Sequence, residues 1–106
     1  MTFSKSKRTS QHFVFSYGSL TSKFNSLPKY SALLKGVFEL ERDDMFPELR
    51  KGSRGQIKTI MGDVLILNDK QLSVADQYES DLYTRELFDV SVDELGDIQA
   101  WVYIAV

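Results

Sequence analysis

The chain has 106 residues, of which 42% are hydrophobic, and it contains no cysteine. This size and composition are typical of one domain with an apolar core, and the lack of cysteine excludes disulfides and thiolate chemistry. No apolar run approaches the ~20 residues of a membrane span, and no apolar segment follows the basic N-terminus as in a secretory signal. We therefore expect a cytoplasmic protein that does not enter a membrane.

The formal net charge of −2 is unevenly distributed along the chain. Residues 1–12 carry three basic side chains and no acidic one, whereas the remainder carries 10 basic against 15 acidic residues. The acidic body argues against nucleic-acid binding, because phosphate contacts need clustered lysine and arginine. We interpret residues 1–11 as a flexible basic tail and residues 12–106 as a single domain.

The first half of the chain predicts strands separated by a short helix and a charged loop. His12–Phe15 predicts a strand that ends at Gly18, and residues 19–26 allow one or two helical turns. Residues 30–41 mix leucine, aromatic and β-branched side chains around a glycine and predict a strand with a bulge or close backbone approach. Residues 42–55 are charged and contain two glycines and a proline, so we expect a long loop with little regular structure.

The second half of the chain predicts strands around one main helix. Residues 57–68 end in a continuously apolar tract, which indicates a strand covered on both faces. Asp69 is the expected N-cap of a helix that runs to about Ser80. Residues 82–92 and 98–106 predict two further strands. This order of elements predicts an α+β domain with a mixed or mostly antiparallel sheet.

The predicted helix carries a carboxylate where an apolar residue is expected. Leu72, Ala75 and Glu79 lie at positions i, i+3 and i+7, so they share one face. Burial would raise the pKa of the Glu79 carboxyl toward neutrality, as a general acid/base requires. The alternative is a glutamate at the helix end that turns to solvent or pairs with Arg85.

Several short motifs occur in a fixed order between residues 13 and 105. They are a strand ending in Tyr17-Gly18-Ser19-Leu20, the glycine-containing strand "IMGDVLIL", a helix with Leu72, Ala75, Asp76 and Glu79 in the pattern L-x-x-[LA]-D-x-x-E, the strand motif Tyr83-Thr84-Arg85 and the strand Ala100–Tyr103. The "FPEL" stretch at 46–49 matches a loop that contains Tyr-Pro in relatives. Together these motifs resemble the gamma-glutamylcyclotransferase-like superfamily, in particular its small gamma-glutamylamine cyclotransferase type.

The resemblance implies a fold and a reaction. The fold is α+β, with a mixed or antiparallel sheet that curls into a small barrel beside one main helix and a short one. The reaction, classed as a transferase or lyase reaction, converts a small γ-glutamyl amine or peptide to 5-oxoproline and a free amine, without a cofactor or metal. Because nucleophile and electrophile belong to one molecule, the protein mainly has to hold the folded-back conformer.

The resemblance also assigns roles to residues. The family's catalytic glutamate corresponds to Glu79, as general acid/base. The loop after the first strand would supply backbone N–H groups to the substrate carboxylate or the developing oxyanion, and glycine permits close approach of a ligand there. The implied substrate-binding residues are Tyr17, Gly18, Ser19, Leu20, Tyr83 and Tyr103.

One departure from the family pattern keeps a second interpretation open. Relatives usually have glycine after the catalytic glutamate, whereas this chain has Ser80 followed by Asp81. A second negative charge beside Glu79 would raise the pKa of that carboxyl further and would repel an anionic substrate. The alternative is a non-catalytic member of the same fold that binds a ligand or a partner protein.

Other candidate residues receive structural roles. His12 is the only histidine, so histidine metal clusters and Ser-His-Asp catalysis are excluded, and we expect its side chain in solvent. Arg85 suits a bidentate contact with a substrate carboxylate, but we favour an ion pair with Asp81 or Glu86. Tyr17 either packs in the core or lines the cavity.

Overall fold

The computed structural model describes residues 10–18, 20–36, 38–42, 47–51 and 58–105. The strands are β1 (His12–Ser16), β2 (Tyr30–Gly36), β3 (Phe38–Arg42), β4 (Pro47–Lys51), β5 (Lys58–Leu67), β6 (Tyr83–Val92) and β7 (Gly96–Ala105). The helices are α1 (Leu20–Lys23) and α2 (Asp69–Glu79), and a 3-10 turn, Ser80–Leu82, follows α2. Neither of these helices is long and apolar enough to cross a membrane. Most of the predicted tail lies outside the described residues, so its flexibility stays a prediction.

Five strands close into a barrel in the order β1-β5-β2-β6-β7. Neighbouring strands pair antiparallel, except that β1 and β7 pair in parallel where Val14 lies opposite Trp101. The predicted α+β class is therefore confirmed, including the small mixed barrel, the main helix and the short helix.

Two hydrophobic clusters lie on opposite faces of the barrel wall, because successive side chains of a strand point to opposite faces. The inner cluster fills the barrel with Phe15, Ala32, Leu34, Ile60, Val64, Val90, Val92, Ala100, Val102 and Ile104. The outer cluster joins the wall to the helices through Val14, Leu20, Leu65, Leu67, Leu72, Ala75 and Tyr103. The apolar end of β5 contributes to both clusters, which confirms that this strand is covered on both faces.

Capping fixes where α2 begins. Asn68 accepts a hydrogen bond from the Gln71 backbone N–H, and the Gln71 side chain accepts one from the Asn68 N–H. This reciprocal capping box satisfies two N–H groups that have no partner inside the helix. Asp69 is therefore the first helical residue, and its predicted role as N-cap was wrong by one position.

The expectation of a loop with little regular structure over residues 42–55 was wrong for part of that stretch. β4 pairs antiparallel with β3, with Phe38 opposite Lys51 and Arg42 opposite Pro47. Proline is tolerated there because it is the first residue of its strand. Short polar strands lack an apolar alternation, so sequence periodicity does not reveal them. The predicted strand over 30–41 accordingly divides into β2 and β3.

A glycine brings β1 close to β5 just before the 17–20 segment. A Cβ atom at Gly62 would lie 2.4 Å from the Ser16 carbonyl oxygen and 2.7 Å from the Phe15 ring. Any side chain at this position would push the end of β1 away from β5. Gly62 therefore helps to set where the chain leaves the barrel after Ser16.

Candidate active site

Glu79 is the last residue of α2, and its side chain is half-buried. Burial raises the pKa of the Glu79 carboxyl from 4.5 to about 7, because a carboxylate loses hydration when it leaves water. It forms neither an ion pair nor a hydrogen bond with any other residue that the structure describes. The alternative that it pairs with Arg85 was wrong, and Glu79 can exchange its proton near neutral pH.

Asp76, one helical turn earlier, has a very different environment. Its Oδ1 accepts hydrogen bonds from Arg85 Nε and from the Tyr103 hydroxyl, both at 2.7 Å, and its Oδ2 accepts from Arg85 Nη2 at 3.0 Å. Burial alone would raise the pKa of Asp76, but the bonds from Arg85 and Tyr103 outweigh it and lower that pKa. Asp76 is therefore an ionised carboxylate whose two oxygens both accept hydrogen bonds from neighbouring side chains.

Tyr103 lies between α2 and the 17–20 segment. Its side chain is 4% exposed, its hydroxyl donates to Asp76, and its backbone carbonyl accepts a hydrogen bond from the Tyr17 hydroxyl at 2.8 Å. Burial, then the bond to Asp76 and the charge of Asp76, and last the charge of Glu79 raise the pKa of the Tyr103 phenol, while the charge of Arg85 lowers it. Tyr103 thus stays protonated, and Glu79 lies close enough to influence it.

The 17–20 segment turns the chain from β1 into α1. The Thr21 N–H donates to the Gly18 carbonyl at 3.3 Å, and the hydroxyls of Ser16 and Thr21 lie 2.6 Å apart. Leu20 is buried in the outer cluster together with Ala75 of α2, so the start of α1 packs against the main helix.

The sequence-predicted site residues are placed as follows. Tyr17 packs against the inner cluster, which is the core position of its two expected ones, and its hydroxyl donates to the Tyr103 backbone carbonyl. Leu20 is buried in the core, and only its backbone is suited to contact a ligand. Gly18 is half-buried, whereas Ser19 lies outside the described residues and its role stays a prediction.

A groove of about 390 Å³ runs along the outer wall from the residue after Glu79. Two predicted residues, Tyr83 and Tyr103, line it, while Glu79 itself does not. The full lining is Asp76, Ser80, Asp81, Tyr83, Thr84, Arg85, Trp101 and Tyr103. The groove is therefore polar and combines two carboxylates, a guanidinium and aromatic rings.

The Asp76 cluster is the part of the site that sequence reasoning missed. Arg85 pairs with Asp76, not with the predicted Asp81 or Glu86, and its guanidinium lies 4.5 Å from the centre of the Trp101 ring. Asp76 stood in the helix motif, but its partners come from β6 and β7. Only the packing of α2 on the barrel wall brings them together.

Ser80 adopts a backbone conformation that favours glycine. Its φ of 69° and ψ of −173° lie in a region that side chains rarely enter. Its hydroxyl accepts a weak hydrogen bond from the Leu82 N–H at 3.4 Å. This chain therefore has a serine at a position whose backbone conformation glycine adopts more readily.

Two further expectations change with the structure. His12 is not in bulk solvent, because it begins β1, is 24% exposed, and its Nε2 lies 2.5 Å from Asp69 Oδ1 at the start of α2. Asp81 is exposed, and burial rather than Asp81 raises the pKa of Glu79.

Comparisons with solved structures show a shared fold. A solution structure of an Arabidopsis thaliana protein has a TM-score of 0.72 at 20% identity, over 92% of this chain and 63% of that protein. A mouse AIG2-like protein has a TM-score of 0.68 at 20% identity, over 91% and 78%. A structure described as gamma-glutamyl cyclotransferase has a TM-score of 0.66 at 17% identity, over 92% and 68%.

Comparison with known sequences gives the family. No curated protein is similar enough to count as a match. The family model for gamma-glutamyl cyclotransferase, AIG2-like proteins matches residues 14–106, which include both helices, all of the barrel except the first two residues of β1, and all the sequence-predicted site residues. The chain therefore belongs to the gamma-glutamyl cyclotransferase, AIG2-like family.

Proposed function

We propose that this protein is a cyclotransferase that converts a small γ-glutamyl amine or γ-glutamyl peptide to 5-oxoproline and a free amine. Family membership supports a small-molecule substrate. The observation that carries the proposal is Glu79, a half-buried carboxylate at the end of α2 whose pKa is about 7. A group that binds and releases a proton at neutral pH suits both halves of this reaction.

The reaction needs one proton carrier and no added water. Glu79 takes a proton from the α-ammonium of the γ-glutamyl group, and the freed amine attacks the γ-carbonyl carbon. The new C–N bond closes a five-membered ring, and the carbonyl oxygen becomes an oxyanion. The oxyanion then collapses to a carbonyl and the C–N bond to the leaving amine breaks, while Glu79 returns its proton to that nitrogen. The Glu79 carboxylate next removes the second proton of the ring nitrogen and passes it to the released amine, so the products are a lactam with one N–H and an ammonium ion, which balances the reaction.

Backbone N–H groups of the 17–20 segment are the proposed partners of the substrate carboxylate or the oxyanion. The lack of a side chain at Gly18 allows a ligand to approach the backbone closely, and donors fixed in place cost no reorganisation during the reaction. The burial of Leu20 in the outer cluster supports a fixed backbone at that residue.

The test is release of 5-oxoproline from γ-glutamyl methylamide, γ-glutamylalanine and γ-glutamyl-4-nitroanilide. We expect release from at least one compound, and a loss of about 100- to 10,000-fold in kcat for Glu79→Gln, the range of general acid/base catalysis. Glu94→Gln, which changes an exposed turn residue, is the matched control and should leave kcat unchanged.

Two outcomes would contradict the proposal. Release that is unaffected by Glu79→Gln would remove Glu79 from the mechanism. Binding of these compounds without release, measured by titration calorimetry, would identify the non-catalytic member of the fold instead.

A further inference from the structure

The last turn of α2 is tied to two strands of the barrel through one side chain. Asp76 accepts hydrogen bonds from Arg85 on β6 and from Tyr103 on β7. Arg85 is itself stacked on Trp101, which limits its movement. Asp76 therefore receives its hydrogen bonds from groups that are already fixed on the barrel wall.

The same tyrosine is also bound to the start of the 17–20 segment. The hydroxyl of Tyr103 reaches α2, while its backbone carbonyl accepts from the hydroxyl of Tyr17. Tyr103 thus connects the helix that ends in Glu79 to the segment that would supply backbone donors.

We propose that Asp76 and Tyr103 are positioning residues that hold the Glu79 carboxylate at a fixed place relative to Tyr17 and the neighbouring Gly18. The inference rests on the proposed function of Glu79. Glu79 lies three residues after Asp76, about one turn along the helix. α2 ends at Glu79 and only a short 3-10 turn, Ser80–Leu82, follows it. The hydrogen bonds at Asp76 therefore restrain the helix end that carries Glu79 from its N-terminal side.

Neither positioning residue is suited to transfer a proton itself. Burial and the bond to Asp76 raise the pKa of Tyr103, and its hydroxyl hydrogen is already donated. The bonds from Arg85 and Tyr103 keep Asp76 ionised. Their influence on the reaction is therefore geometric, and a displacement of about 1 Å can cost about 100-fold in rate.

The experiment measures kcat and KM for 5-oxoproline release from γ-glutamylalanine, per folded molecule as judged by circular dichroism. We expect kcat to fall about tenfold in Tyr103→Phe and about 100-fold in Asp76→Asn, with KM changed less than about threefold. Arg85→Lys keeps the charge but loses the two-pronged contact, so its kcat should fall between wild type and Asp76→Asn. Tyr30→Phe is the control, because the Tyr30 hydroxyl has no hydrogen-bond partner among the described residues.

A second measurement reports on Glu79 without turnover. The titration midpoint of the Glu79 side-chain carboxyl, followed by carbon NMR, should fall by about one pH unit in Tyr103→Phe. A displaced carboxylate gains hydration, and the lost hydroxyl is uncharged, so no direct charge effect competes. The groove beside Glu79 also contains Asp76, Asp81 and Arg85, which this substitution leaves unchanged.

The outcomes separate the positioning role from the proposed function. An unchanged kcat and an unchanged midpoint in folded Tyr103→Phe would overturn positioning while leaving the function intact, and so would an effect confined to KM. A wild type that releases no 5-oxoproline, combined with a lowered midpoint in Tyr103→Phe, would overturn the function and support positioning. If Tyr103→Phe and Asp76→Asn lower only the stability of the protein, while kcat and the titration midpoint of Glu79 stay as in wild type, both residues have a structural role only.

Discussion

Two carboxylates one turn apart on the same helix have opposite properties. Asp76 accepts three hydrogen bonds and has a lowered pKa. Glu79 is unpaired among the described residues, and burial raises its pKa to about 7. Helix position alone does not separate them, since they lie on nearly the same face. The difference comes from β6 and β7, which supply hydrogen-bond donors to Asp76, whereas no described residue supplies a donor to the Glu79 carboxylate.

The largest expected effect of this difference is on the pH dependence of turnover. Glu79 must be deprotonated to accept the ammonium proton, so kcat should fall about tenfold per pH unit below its pKa, or about 100-fold from pH 8 to pH 5. Asp76 stays ionised over this range and should add no second step. The measurement is kcat for 5-oxoproline release, with circular dichroism to show that the protein stays folded at pH 5. A midpoint near 4.5 would mean that Glu79 is fully hydrated.

The next largest effect is the loss of folding stability when Asp76, the paired carboxylate, is neutralised. Asp76→Asn leaves Arg85 without its charged partner, and we expect a loss of about 2 kcal/mol in the free energy of unfolding. Asp76 and Arg85 are both partly exposed, which keeps the loss below that of a fully buried pair. Urea denaturation at pH 7 measures it. Asp89→Asn, on the exposed side of β6, should change stability by less than about 0.5 kcal/mol, and an equal loss in both variants would show that the hydrogen bonds at Asp76 do not stabilise the fold.

Removing the charge of the unpaired carboxylate, Glu79, should raise the free energy of unfolding at pH 8, whereas removing the charge of Asp76 lowers it. The folded pKa of Glu79 lies above its unfolded value, so the folded state binds the proton more tightly. The stabilisation is complete below pH 4.5 and is lost as the pH rises through about 7. Glu79→Gln should therefore be more stable than wild type at pH 8, by about 1–2 kcal/mol after allowance for solvent screening.

Urea denaturation at pH 4 and pH 8 checks this expectation. The gain should disappear at pH 4, where both proteins carry a neutral side chain at position 79. For Asp76 the direction is reversed, because its lowered pKa stabilises the fold above its ordinary value of 3.8 and that stability is lost as the pH falls. A gain of equal size at both pH values would assign the effect of Glu79→Gln to packing instead of charge.

The same two residues explain what could be predicted from the sequence. Helix periodicity predicted that Glu79 shares the inward face of α2 with Leu72 and Ala75, but it left open that the side chain turns to solvent or pairs with Arg85. The structure decides between these alternatives, because Glu79 is half-buried. The pairing of Asp76 with Arg85 did not follow, because a guanidinium can reach several carboxylates and only the packing of β6 against α2 selects one. The pairing of β3 with β4 was missed for a related reason. A polar segment has no apolar alternation that marks it as a strand, and it becomes a strand only through its contacts with a neighbouring strand.

The smallest expected effect concerns the end of the helix, next to the unpaired carboxylate. Ser80 holds a φ of 69°, which glycine adopts at far lower cost. Ser80→Gly should raise the free energy of unfolding by about 1 kcal/mol, because glycine removes the backbone strain at this position. Two smaller effects oppose this gain, namely the loss of the weak hydrogen bond from the Leu82 N–H and the greater conformational freedom of glycine in the unfolded chain.

Ser73→Gly is the matched control for this effect. Ser73 is exposed in the interior of α2, where glycine is less favourable than serine, so the same substitution should destabilise by about 0.5 kcal/mol. Thermal denaturation of the two variants side by side gives the sign directly. Destabilisation by both substitutions would mean that Ser80 relieves its backbone strain through local contacts. In that case the hydroxyl of Ser80, which accepts from the Leu82 N–H, would be part of how the helix ends at Glu79.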